Sequence, residues 1–194
     1  MIKLNLGCGP NKLPGWLNTD IAGSPDQYLD ISQPFPLADG SCSHVYGEQC
    51  IEHVDYFGAQ NCIREAFRVL APGGRIRLVT PDLQNLVELA LSTDNDPGVY
   101  QIRELHADYT SIRPNARSGV VILNRMMRDW GHLFIWDEES LEMSLARSGF
   151  VDVWVAELGE SHITEFDNIE RHYPDGIVGS HRYESFAIEA RKPS

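Results

Sequence analysis

Apolar positions in this chain fall into short runs separated by stretches of helical spacing. Lys3 to Leu6 reads as a first strand, Trp16 to Thr19 as a second, and the residues around Tyr28 and Leu29 as a short third. "SHVYGEQC", from Ser43, reads as a fourth strand ending near Gly47 or Glu48. After it, "FGAQNCIREAFRVLAPGG" places Ile63, Ala66, Phe67 and Leu70 at the i, i+3, i+4, i+7 spacing of a helix packed on a sheet. Pro72-Gly73-Gly74 ends that helix. "RIRLVTP" is a strand with Ile76 and Leu78 on one face. "DEESLEMSLARSGF" predicts a helix that turns Leu141 and Leu145 inward and closes at Ser148-Gly149. The strand "VDVWVAEL" follows, with Val151, Val153 and Val155 alternating, and "ESFAIEARK" puts Phe186, Ile188 and Ala190 on one face. Alternating strand and helix signals predict an α/β architecture with a largely parallel sheet.

One segment breaks the rhythm. Leu83 to Trp130 holds a predicted helix, the polar stretch "STDNDPG", a second helix from Val99 and the apolar "GVVILNRMM". A run of that length between sheet elements reads as a cap or lid over a site. The 194 residues suit a single domain, 1–194, with 83–130 as its insert. No apolar run is long enough to span a bilayer, and the N-terminus enters strand-like sequence at once, so a cytoplasmic protein is expected. Cys8, Cys42, Cys50 and Cys62 form no C-x-x-C pair, which favours free thiols over a metal or disulfide framework. The net charge of -12 disfavours a nucleic-acid partner and favours a cationic ligand.

Chemistry enters at the first strand end. Gly7 and Gly9 follow the strand directly, where glycine lets the backbone turn tightly and approach a ligand. A dinucleotide site would want a third glycine near position 12, where Lys12 stands, and a full helix to receive a pyrophosphate. Pro10 to Gly15 cannot supply that helix. Asp20 ends the second strand, where a carboxylate can accept from both ribose hydroxyls, and Asp30 ends the third. Glycines and two acids at three consecutive strand ends suit an adenosine-containing cofactor without a pyrophosphate.

"LNLGCG", Asp20, the run "DISQPFPLADGS" from Asp30, "IEHV", "REAFRVLAPGGRIRLVTPD" and "GHLF" together resemble the class I S-adenosylmethionine-dependent methyltransferases. The resemblance is strongest to small methyltransferases associated with glycan and polysaccharide genes, and spans Met1 to about Phe150. It implies a Rossmann-like α/β fold, a mostly parallel seven-stranded sheet with helices on both faces, and S-adenosyl-L-methionine as cofactor. It further implies that Gly7, Cys8 and Gly9 pass beneath the methionyl part. Asp20, with Ile21 beside it, would hold the ribose, Asp30 and Ile31 would meet the adenine, and Gly47, Glu48 and Gln49 would line the sulfonium side. One departure is expected. Thirteen positions separate Gly7 from Asp20, so the first crossover must be a loop or a single turn, with Asn11 or Lys12 replacing missing helix contacts.

The expected reaction is O-methylation of a sugar or other small polar acceptor. An alcohol acceptor loses its proton in the transition state, and the candidate bases are His132, Asp129 and His53. Tyr100, Tyr109, Trp130 and Trp136 could stack on a sugar face, core packing being the other use of such rings. The remaining histidines, His162, His172 and His181, have no spacing that favours a metal, and no metal is expected. An inactive cofactor-binding subunit, or an interaction module on the same scaffold, is the alternative to an enzyme.

Overall fold

The computed structural model describes residues 1–91, 119–172 and 184–194. Seven strands form one sheet: β1 (Ile2–Leu6), β2 (Leu17–Asp20), β3 (Gln27–Tyr28), β4 (Cys42–Glu48), β5 (Leu70–Pro81), β6 (Val151–Ala156) and β7 (Ser185–Arg191). Their order is β3-β2-β1-β4-β5-β7-β6, parallel from β3 to β5, with β7 antiparallel to both its neighbours. The chain leaves β1 for one side of the sheet and later places β4 on the other. The carboxyl ends of β1 and β4 therefore flank a topological switch point, the place where open α/β sheets bind ligands.

One face of the sheet carries the main core. Helix α1 (Tyr56–Val69) starts at Asp55, whose carboxylate accepts the Gly58 N–H at 2.8 Å, and buries Ala59, Cys62, Ile63, Ala66 and Val69. Helix α4 (Glu138–Arg147) starts with a capping box between Asp137 and Ser140 and buries Leu141 and Leu145. These residues meet Leu4, Leu6, Val45, Ile76, Leu78, Phe186, Ile188 and Ala190 in one cluster. The α1 helix stops three residues before Pro72. Leu70 is already strand, and Pro72-Gly73-Gly74 kinks the start of β5 with Gly73 at φ +77. In β6 the expected clean alternation of Val151, Val153 and Val155 is interrupted. Asp152 is left-handed at φ 49, and the register with β7 shifts between Val151 and Trp154. Val153 packs on the core while Val151 and Val155 are exposed, as an edge strand tolerates.

The other face is covered, among the described residues, by loops. Leu13 and Trp16 from the first crossover, and Leu158, Ile163, Phe166 and Ile169 from the segment after β6, pack on Tyr46, Val79 and Ala187. No described helix covers this face, because the crossover between β1 and β2 is too short to form one. Asn18 holds that crossover instead. Its side chain accepts from Leu13 N at 2.7 Å and Asn5 Nδ2 at 3.0 Å, and donates to Leu13 O, Trp16 O and Asp26 Oδ2. Lys12 pairs with Asp26 at 2.8 Å.

Two helices of the insert are described. Helix α2 (Leu83–Leu91) packs on α3 (Gly119–Arg128) through Leu86, Leu89, Leu123 and Met126. The insert leaves and returns at one point, where Leu83 N–H donates to Trp136 O at 2.8 Å and Asp82 bridges Trp136. Residues 92–118, which include "STDNDPG", Tyr100 and Tyr109, lie outside the described residues, as does His181.

Candidate functional site

A cleft of about 390 Å³ opens at the carboxyl ends of β1, β2 and β4. Its floor is the turn Gly7-Cys8-Gly9. Gly7 is left-handed at φ +59, and a Cβ built there would stand 2.4 Å from Cys50 Cβ. Gly47 also faces Cys50, whose Sγ would be 2.9 Å from a Cβ at that position. Two glycines are thus needed for β1 and β4 to close on one cysteine. Gly9, at φ +50, has nothing within 4 Å of its Cβ position and presents bare backbone toward open space.

Asp20 and Asp30 stand on the rim at successive strand ends. Asp20 Oδ2 accepts the Gly9 N–H and Oδ1 the Ala22 N–H, each at 2.9 Å. The turn orients the carboxylate, and each oxygen keeps lone-pair capacity for a ligand. Asp30 Oδ1 accepts from Ser32 N–H and Oγ. Ile21 is 62% exposed and Ile31 almost buried, which gives the cleft apolar walls beside the two acids.

Across the cleft, Glu48 ends β4 and accepts the backbone N–H groups of Arg171 at 2.9 Å and His172 at 3.1 Å. Burial raises the Glu48 carboxyl above its ordinary range, opposed by those two donors. Gln49 is left-handed at φ 50, a conformation that costs a non-glycine residue about 1–3 kcal/mol. Its N–H bonds Val79 O at 2.9 Å and its Nε2 bonds Ser185 Oγ at 3.0 Å, which hold it there. Burial pushes the Cys8 and Cys50 thiols up, so neither is a thiolate nucleophile at neutral pH.

The predicted cofactor residues Gly7, Cys8, Gly9, Asp20, Ile21, Asp30, Ile31, Glu48 and Gln49 all line this one cleft, and Gly47 packs directly behind it. Asn11 lines it too, whereas Lys12 is engaged by Asp26. Sequence reasoning missed Asn5, Leu13, Leu29, Tyr46, Val54, Arg171 and His172. For Arg171 and His172 no local signal existed, because a carboxylate 123 positions earlier in the chain brings them in.

The candidate bases separate. His53 lines the cleft. It belongs to the short turn Ile51–His53, and its ring lies beside Gly131, where a built Cβ would stand 3.7 Å from Nδ1. His132 stands behind it, with ring centroids 5.0 Å apart, and its Nδ1–H donates to Met126 O. Burial lowers both imidazoles below the usual histidine range. The pairing is built by the returning insert, where Leu133 and Phe134 N–H groups both donate to Glu52 O. Trp130, left-handed at φ 57, and Gly131 turn the chain so that His132 faces His53. Asp129 points elsewhere and is paired with Arg125 at 2.9 Å. Trp136 is fully buried under Tyr56 and Phe134 and cannot stack on a ligand; Trp130 is 52% exposed.

Residues 25–78 match a family described as a methyltransferase domain. The match runs from β3 into β5 and begins after the glycine turn and Asp20, so the shortened crossover lies outside it. Similar solved structures include an S-adenosylmethionine-dependent methyltransferase from Mesorhizobium loti, 15% identical over 98% of this chain and 90% of that one, with a TM-score of 0.60. A second is a SAM-dependent methyltransferase from Archaeoglobus fulgidus, 16% identical over 98% and 86%, with a TM-score of 0.55. A third comes from the complex between the Haloferax volcanii Trm112 methyltransferase activator and a methyltransferase, 13% identical over 100% and 84%, at 0.51. At these identities the likeness is one of fold. No curated protein matches the sequence. No helix among the described residues is long and apolar enough to cross a membrane. Residues 25–78 thus match a methyltransferase domain, and the chain has the fold of S-adenosylmethionine-dependent methyltransferases.

Proposed function

We propose that this enzyme methylates a hydroxyl of a sugar or similar small polar acceptor, the acceptor approaching along His53 and His132. The observation that carries the reading is the convergence of a bare-backbone glycine turn and two strand-end carboxylates on one cleft at the switch point of the sheet. Gly7 to Gly9 would run beneath the methionyl chain, Asp20 would bond the ribose, Asp30 and Ile31 would meet the adenine, and Gly47 to Gln49 would face the sulfonium. When bound there, S-adenosylmethionine supplies an electrophilic methyl group. The protein's part is to hold the two reactants in line, to exclude water and to accept the hydroxyl proton.

The proton side falls to the two histidines. A neutral imidazole carries one N–H, and His132 spends it on Met126 O, leaving Nε2 with a bare lone pair. Trp130, half exposed and 5.8 Å from the His132 ring, offers a face for stacking a sugar. The acidic chain, at net charge -12, supports a small acceptor over a nucleic acid. A glycan as that acceptor follows from the sequence resemblance rather than from any contact in the cleft.

Two expected results test the reading. Asp20→Ala should weaken S-adenosylhomocysteine binding about 30-fold, since the unmade bonds of a charged acceptor cost about 2 kcal/mol. Calorimetry that finds equal affinity would remove Asp20 from the ribose. His132→Ala should keep that affinity near wild type and lower the methylation rate about 100-fold, the usual contribution of a positioned base. The acceptor is read by offering labelled S-adenosylmethionine with panels of monosaccharides and of small amines. Label on amines alone would overturn the hydroxyl assignment.

A further inference from the structure

Behind the cleft wall, three side chains that can ligate a metal face one another. Glu52 is fully buried. Its Oε2 accepts from Thr80 Oγ1 at 3.0 Å, while its Oε1 has no hydrogen-bond partner. A buried carboxylate oxygen left this way is costly and calls for a counterpart. The ring of His132 donates through Nδ1 to Met126 O, and the ring of His53 packs against it with centroids 5.0 Å apart. A neutral ring that gives its one N–H to a carbonyl turns its other nitrogen outward as an acceptor. His132 is therefore oriented by a backbone carbonyl, the outer-shell arrangement that fixes metal-ligating imidazoles. One ligand atom from each of Glu52, His53 and His132 lies within 4.8 Å of the other two.

We propose that Glu52, His53 and His132 form a binding site for one divalent transition-metal cation at the edge of the cofactor cleft. Two imidazoles and one carboxylate are a borderline donor set, suited to zinc and its neighbours rather than to calcium or magnesium. Ligand bonds of about 2.0–2.2 Å need donor atoms about 3.5 Å apart. The three groups close by about 1 Å on binding, through ring and carboxyl rotation. Three protein ligands leave a coordination position free. Because His53 also lines the cleft, an acceptor oxygen is the natural occupant of that position. There the cation would acidify the hydroxyl in place of the His132 lone pair that ligation uses up. This last assignment rests on the methyltransferase reading, and the cation site does not.

The sequence hides the site. Glu52 and His53 are adjacent, and His132 lies 79 positions on, at the end of an insert. The bonds from Leu133 and Phe134 to Glu52 O hold the returning insert against them.

The test uses the full chain stripped with a chelator and titrated with zinc by calorimetry, with cobalt as a spectroscopic probe. One equivalent of zinc should bind at micromolar affinity or better, and His132→Ala and His53→Ala should each weaken it at least 100-fold. Cobalt should give visible bands of a low-symmetry nitrogen and oxygen site that vanish in both variants. Glu52→Gln should do the same if it folds; the two histidine variants decide the matter if it does not. Absence of zinc binding, or binding unchanged in both histidine variants, overturns the site. S-adenosylhomocysteine affinity, measured with and without chelator, should stay constant, so failure here and failure of the cofactor reading are told apart.

Discussion

Gly7→Ala is expected to abolish measurable S-adenosylhomocysteine binding, a loss of at least 100-fold, and to lower the melting temperature as well. Two costs act at once. Gly7 sits at φ +59, where a side chain costs about 1–2 kcal/mol. Its new Cβ would lie 2.4 Å from Cys50 Cβ, far inside contact distance. Cys50 cannot retreat freely, because its Sγ already fills the space where Gly47 lacks a side chain, and Gly47 packs on Leu78. The turn must therefore lift, and with it the Gly9 N–H that orients Asp20. Gly9→Ala provides the contrast. Its Cβ meets nothing within 4 Å, so it should melt within a few degrees of wild type, carrying the left-handed cost alone. If Gly9→Ala nevertheless loses binding, the ligand itself occupies that open space. The double variant Gly7→Ala/Cys50→Gly removes the clashing atom and should recover part of the lost stability. Calorimetry and thermal melts read all three, and Gly7→Ala binding at wild-type affinity would show that the turn does not shape the site.

Much of this was legible in the sequence where a signal is local. The strand-end glycines, Asp20 and Asp30 could be placed because each follows a short apolar run, and in a parallel sheet such ends converge on one edge. The stripe from Ile63 to Phe67 and the inward pair Leu141 and Leu145 before Ser148-Gly149 gave α1 and α4 for the same reason. What could not be read depends on contacts across the chain. Asn18 is unremarkable as a sequence letter, yet its five hydrogen bonds stand in for a missing helix. Asp129 and His132 were both candidate bases in "RDWGHLF", with His132 the first choice. A left-handed Trp130 between them sends one carboxylate back to Arg125 and the other side chain forward to His53. Trp136 was readable as a ligand-stacking ring or a core ring, and only burial decides.

Arg77 shows a dependence of the second kind, and it leads to the largest expected effect on stability. Arg77 is wholly buried in β5, on the face that loops cover. Its guanidinium binds Glu189 of β7 and Glu170 of the segment after β6, and donates to the carbonyls of Glu157 and Glu160. Glu170 in turn accepts the Gly159 N–H at 3.2 Å, so one cation fastens the whole loop to the sheet. Arg77→Met keeps most of the volume but leaves two buried carboxylates facing each other without a cation. Breaking a buried pair in this way costs about 3–5 kcal/mol, which for a chain of this size lowers the melting temperature by about 10 °C or more. The double variant Arg77→Met/Glu189→Met removes one of the stranded charges and should be markedly more stable than Arg77→Met alone, because desolvating the ions offsets much of their attraction. The effect should also reach the cleft. Residues 171 and 172 follow Glu170 directly, and their N–H groups hold Glu48, so a loosened loop frees the carboxylate on the far wall. Arg77→Met should therefore bind S-adenosylhomocysteine more weakly even at temperatures where it is fully folded. A variant that melts like wild type would mean the loop is held by its apolar contacts, Leu158, Ile163, Phe166 and Ile169, without the clamp. One that melts early but binds normally would separate the clamp from the site.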